Sequence, residues 1–83
     1  MKTYRIDRKE EAIAEVQRYL RAISYAEKVI PHIAVDGIYG KETKEAVRAF
    51  QILLSLAQTG VVDDETFAAL YRRYLEVPYR KEG

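Results

Sequence analysis

The chain has 83 residues, no cysteine and a net charge of +1, from 14 Lys and Arg against 13 Asp and Glu. That length suits one domain with a modest core, and the lack of cysteine removes disulfides and Cys-based zinc sites as supports. The balanced charge speaks against a nucleic-acid module, which would carry a basic face.

A single domain over 1–83 is expected, with its core at about 7–77 and a frayed tail at 78–83. The first ten residues, M-K-T-Y-R-I-D-R-K-E, carry no apolar run, so no signal peptide is expected there. No stretch approaches the length of a membrane span. Tyr4 and Ile6 are placed to pack against the first helix. Asp7 and Glu10 have the spacing of a capping box, with Asp in place of the usual Ser or Thr. The helix is predicted from about Arg8 to Ala26. Its buried face is Ile13, Val16, Leu20 and Ile23, with Ala12 and Tyr19 beside it. Glu11, Glu15, Arg18 and Arg21 form the solvated side.

From Glu27 to Val35 the chain crosses to a second helix. Pro31 stops helix continuation and biases Ile30 toward extended backbone. Val29, Ile30, Ile33 and Val35 are too apolar for a free loop and are expected to lie over the open end of the bundle. Asp36-Gly37 is then a turn pair. Gly40 reads as a helix N-cap, and Glu42 faces the positive end of the helix dipole. Thr43 is expected to reach back to the Gly40 N–H in a weak capping box. Thr43, Ala46, Val47, Phe50, Leu53 and Leu54 form the buried stripe of a helix over about Lys41 to Leu54. Ser55 in a left-handed cap would cost about 1 kcal/mol relative to Gly, which predicts a longer helix or a different cap.

Leu56 to Val62 forms a second crossing with Gly60 as its turn residue. Asp63 caps a third helix, and Asp64 and Glu65 fill its first turn. Phe67, Leu70, Tyr71 and Tyr74 are its expected core stripe. Arg72 and Arg73 suit its negative pole, and Pro78 limits it to about Glu76 or Val77. The whole is all-α, a compact three-helix bundle with two structured crossings. Two echoes run through it. A-I-A-E-V-Q at Ala12 returns as A-V-R-A-F-Q at Ala46, and K-E-T-K-E-A-V at Lys41 returns as D-E-T-F-A-A-L at Asp64. The marks of a tetratricopeptide repeat are missing, so a pseudo-repeated three-helix domain fits better.

Chemistry is sparse. His32 is the only histidine, with no ligand cluster around it in sequence, so no metal or cofactor is expected. Ser24 and Ser55 lack a nucleophile-elbow context. Asp36 and Asp63 are the candidates for paired-acid hydrolysis, but each has a structural role, in a turn and as a cap, and no deep cleft is available to raise a carboxyl pKa. No catalytic residue is assigned. Gln17 and Gln51 lie at the inner edges of their helices. Their amides are read as satisfying the backbone of the crossings, with contact to a ligand's amides as the alternative. Tyr39 has two open readings: an aromatic covering a sugar ring, or a plug in the core.

Asp36, Gly37, Tyr39, Gly40, Thr43, Ala46, Val47, Phe50 and Gln51 together resemble the signature of the small three-helix peptidoglycan-binding domain. Thr59 to Leu70 is similar to that family's second turn and third helix, and Val16 to Leu20 to its first helix, so the resemblance covers roughly residues 10 to 75. Lys41 and Ser55 stand where the family often has Pro and Gly. The resemblance implies noncatalytic binding of bacterial cell-wall peptidoglycan, through its glycan strand or stem peptide. It further implies targeting of an attached or associated protein, such as a cell-wall hydrolase, to the wall. The ligand is expected at Asp36, Gly37, Tyr39, Gly40 and Thr43. Location in the cell envelope or outside the cell would follow if the chain belongs to an exported protein. The alternative is a protein-interaction or assembly module on the same bundle, which the missing signal peptide and the Tyr4 and Tyr79 ends would suit.

Overall fold

The computed structural model describes residues 9–78. The packing of Tyr4 and Ile6, the Asp7 cap, the start at Arg8 and the tail from Tyr79 lie outside these residues. Three helices follow one another: Lys9–Ala26 (α1), Lys41–Leu53 (α2) and Asp64–Glu76 (α3). No strand occurs among the described residues. Helix α1 is the element on which both α2 and α3 pack.

The core forms where the three apolar stripes meet. α1 contributes Val16, Tyr19, Leu20 and Ile23, α2 contributes Ala46, Val47 and Phe50, and α3 contributes Leu70. Phe50, Leu20, Ile23, Leu70 and Val47 are fully buried. Each such side chain stabilises the fold by about 1.5–3 kcal/mol relative to exposure. Ile13 is only half-buried.

The first crossing closes over this core with two residues, not four. Ile30 and Ile33 are buried, whereas Val29 and Val35 are exposed. A turn closed by the Ile30 N–H on the Glu27 carbonyl directs Ile30 inward and leaves Val29 outside. Glu27 also pairs with Arg73 at 2.7 Å, tying the end of α1 to the last turn of α3. Arg73 thus serves a neighbouring helix as well as its own pole.

Helix α2 ends at Leu53 in the left-handed cap after all. Ser55 has φ 61°, its N–H donates to the Ile52 carbonyl, and the Leu56 N–H donates to the Gln51 carbonyl. Those two bonds are the Schellman pattern. They satisfy carbonyls that would otherwise end the helix unpaired, and this offsets the cost of a Cβ at positive φ. Leu53 and Leu54 are consequently only half-buried.

Helix α3 begins as expected, with the Asp63 carboxylate accepting the Thr66 N–H at 2.8 Å. Its inner line differs from the expected one. Thr66, Leu70 and Val77 are buried and Tyr74 is half-buried, while Phe67 and Tyr71 stay exposed. At about 100° per residue, Phe67 and Tyr71 lie one step around from Thr66 and Leu70, at the edge of the stripe.

Candidate functional site: the turn before α2

The turn from Asp36 to Gly40 is held from beneath by Gln17, a buried residue in the middle of α1. The Gln17 Oε1 accepts the N–H groups of Asp36 and Gly37 at 3.0 and 2.8 Å. Its Nε2 donates toward the Ile38 carbonyl at 3.0 Å, the Thr43 Oγ1 at 2.9 Å and the Asp36 Oδ1 at 3.0 Å. One amide thereby satisfies both polarities of a turn that would otherwise leave buried backbone unpaired. The backbone-satisfying reading of Gln17 is the one the structure bears out.

Asp36 closes the turn on itself, its Oδ1 accepting the Ile38 N–H at 3.0 Å. That bond, followed by the one from Gln17, holds the Asp36 carboxyl below its ordinary value. Gly37 has φ 76°, and a Cβ there would lie 3.2 Å from the Glu10 carbonyl oxygen, so the position calls for glycine twice over. Thr43 is buried. Its hydroxyl accepts from Gln17 and donates to the Ile38 carbonyl at 3.3 Å, and does not reach back to accept the Gly40 N–H. Gly40 is the N-cap, in extended backbone, and α2 starts with no side-chain cap bond.

Tyr39 links this turn to the next. Its ring packs half-buried against the core, and its hydroxyl donates to the Gly60 carbonyl at 2.5 Å. Burial raises its pKa, which keeps the hydroxyl a donor. Around Gly60 the arrangement of the first turn recurs. The Gln51 Oε1 accepts the Gly60 N–H at 2.9 Å, and its Nε2 donates to the Thr66 Oγ1 at 3.0 Å and the Val61 carbonyl at 3.1 Å. Gly60 has φ 75°, and the stems of Lys44 and Arg48 lie across it, 2.9 and 3.1 Å from where a Cβ would be.

A family model described as "Putative peptidoglycan binding domain" matches residues 9–70, which spans α1, both turns and most of α3. The chain belongs to that family. No curated protein and no solved structure gives a significant match to it.

Within this peptidoglycan-binding domain the five expected ligand residues do come together, in one turn and helix start. Asp36, Gly37 and Thr43 spend their hydrogen bonds on the turn itself, and Tyr39 on the second turn. The outward surface is the free side of the Asp36 carboxylate, the Gly40 helix start and Ile38, which is 65% exposed. Ile38 was not singled out from sequence. Its signal is an apolar residue between two glycines, with no helical stripe to join.

The other candidate groups lie apart. His32 is exposed, with Nδ1 3.0 Å from the Ser24 Oγ and Nε2 3.4 Å from the Tyr25 hydroxyl. Among the described residues no group of three or more His, Cys, Asp or Glu could hold a metal ion. No helix among them is long and apolar enough to cross a membrane.

Proposed function

We propose that the chain is a single wall-binding domain that anchors an attached or associated protein, such as a cell-wall hydrolase, to peptidoglycan without cleaving it. The observation that carries this reading is the family match over residues 9–70, which includes the whole of the latched turn. The Asp36–Thr43 turn is the proposed ligand surface. Its backbone is fixed before any ligand arrives, so little ordering is lost on binding. Asp36 and Gly40 present the polar groups, Ile38 and the open part of the half-buried Tyr39 ring the apolar ones, and Gly37 and Thr43 shape the backbone beneath them.

The two candidate carboxylates support a noncatalytic role. A general acid for glycan cleavage needs a raised pKa. Asp36 and Asp63 are both held below the ordinary value by hydrogen bonds within their own turns. Binding alone serves the attached protein by raising its effective concentration at the wall. A shallow surface of this kind suits an affinity of about micromolar to millimolar. The domain works in the cell envelope or outside the cell, as part of an exported protein.

Co-sedimentation with purified peptidoglycan sacculi tests the reading. Retention in the pellet, with no reducing ends or free amines released, is the expected result. Protein left wholly in the supernatant overturns it.

A further inference from the structure

Phe67 and Tyr71, expected in the core stripe of α3, are left open by the fold, 39% and 47% exposed. They sit four residues apart on α3, so their rings lie in a row along one side of the helix. Both rest on Tyr19 of α1, with ring centroids 6.0 and 5.8 Å from it. Tyr19 is buried, backed by Tyr74 at 4.6 Å, and its hydroxyl donates to the Glu15 carboxylate. Two outward rings are therefore held by a third that cannot move away.

We propose that this α1/α3 face is a glycan subsite, where Phe67 and Tyr71 stack the neutral amino-sugar backbone of peptidoglycan. The proposal rests on the wall-binding reading and adds a second contact surface to it. Gln17 and Tyr19 are two residues apart on α1, so their side chains point about 200° apart around its axis. The aromatic face and the latched turn thus lie on different sides of the first helix. Its chemistry suits a sugar better than an ionic stem peptide. A pyranose offers an apolar C–H face to a ring and hydroxyls to polar neighbours. Here Tyr71 brings its own hydroxyl, and the half-buried Glu15 and exposed Arg18 of α1 lie within electrostatic reach of Tyr19. The Glu15 Oε2 accepts the Tyr19 hydroxyl, which ties this carboxylate to the ring beneath the platform. Because Tyr19 fixes the platform from below, stacking costs little side-chain ordering.

The test pairs sacculi co-sedimentation of wild type, Tyr71→Ala and Tyr71→Leu with an NMR titration of the wild type. The NMR probes are a β-1,4-linked N-acetylglucosamine tetramer and, separately, a free stem peptide. Circular dichroism at the assay temperature confirms that each variant is folded. Retention of Tyr71→Ala should fall roughly three- to tenfold, the loss expected for one aromatic stack. Tyr71→Leu should fall similarly, because Leu keeps apolar bulk but no flat face. The tetramer should shift the ring signals of Phe67, Tyr71 and Tyr19, and the stem peptide should not. If wild type binds sacculi but Tyr71→Leu binds equally well and the tetramer moves no ring signal, the subsite is wrong and wall binding stands. Concentration-dependent broadening of the same rings without sugar would assign the face to self-association and overturn the proposal. Failure of wild type to sediment removes both readings.

Discussion

Gln17 and Gln51 perform the same task 34 residues apart, each reaching from the inner edge of one helix to fasten the turn that starts the next. The parts they fasten, Gly37 with Gly60, Ile38 with Val61 and Thr43 with Thr66, recur at a spacing of 23. Two different offsets arise chiefly because Gln17 lies in the middle of α1 whereas Gln51 lies in the last turn of α2, and the longer first crossing adds the rest.

Replacing Gln17 or Gln51 with Leu should destabilise the fold by roughly 2–4 kcal/mol. Leu keeps the volume but strands buried N–H and carbonyl groups, each costing about 1–3 kcal/mol. Urea unfolding measures this. A loss below about 0.5 kcal/mol, within the range of ordinary surface changes, would show that water replaces the amide at no cost.

Ser55→Gly should raise stability by about 1 kcal/mol, since Ser55 holds φ 61° with a Cβ that glycine lacks. The change touches neither the core nor either turn. An unchanged midpoint in urea would mean that the extra backbone entropy glycine loses on folding cancels the relief of strain.

Tyr39→Phe isolates the link between the turns. It keeps the ring and removes the hydroxyl that donates to the Gly60 carbonyl. A loss of about 1 kcal/mol is expected, the net value of one intramolecular hydrogen bond. Tyr39→Ala should cost about 3 kcal/mol, near the low end for a large aromatic truncation because the ring is only half-buried. Unfolding of both variants decides between a ring that holds the fold and one that only borders a ligand. An alanine variant as stable as wild type would leave Tyr39 wholly to the ligand.

Stability should fall in acid for a local reason. Asp63 is held below its ordinary value of 3.8 by the Thr66 N–H and then the Thr66 hydroxyl. Asp36 is lowered by the Ile38 N–H and then Gln17. Carboxylates depressed in the folded state contribute fully above the unfolded value, and that contribution is lost as pH drops through the folded one. Melting temperature should hold from pH 7 to about 5 and decline below about 4. Asp63→Asn, which still caps but does not titrate there, should decline less steeply. A parallel decline would place the acid sensitivity elsewhere.

Much of this was legible along the chain. Gly40, Asp63 and Pro78 marked the ends of helices correctly, because caps and breakers act within a few residues. Phe50 and Leu70 were core by spacing alone. Thr43 was misread because its partner, Gln17, lies 26 residues away and no local pattern points to it. Phe67 and Tyr71 were misplaced for a related reason. Helical period identifies an apolar side, but the width of the buried strip depends on where Tyr19 of another helix happens to sit. The turn itself was visible as Asp36-Gly37. Its exposed member, Ile38, was not, because exposure belongs to the packed molecule and not to the residue.

The two glutamine latches also change how the crossings should breathe. Loop amides ordinarily trade their hydrogens for deuterium first, through small local openings. At Asp36, Gly37 and Gly60 the N–H groups are bonded to side chains rooted in the core. To expose them, the molecule must withdraw Gln17 or Gln51 from among the helices, which is close to undoing the whole fold. These three turn positions should therefore exchange on the timescale of the helices they connect.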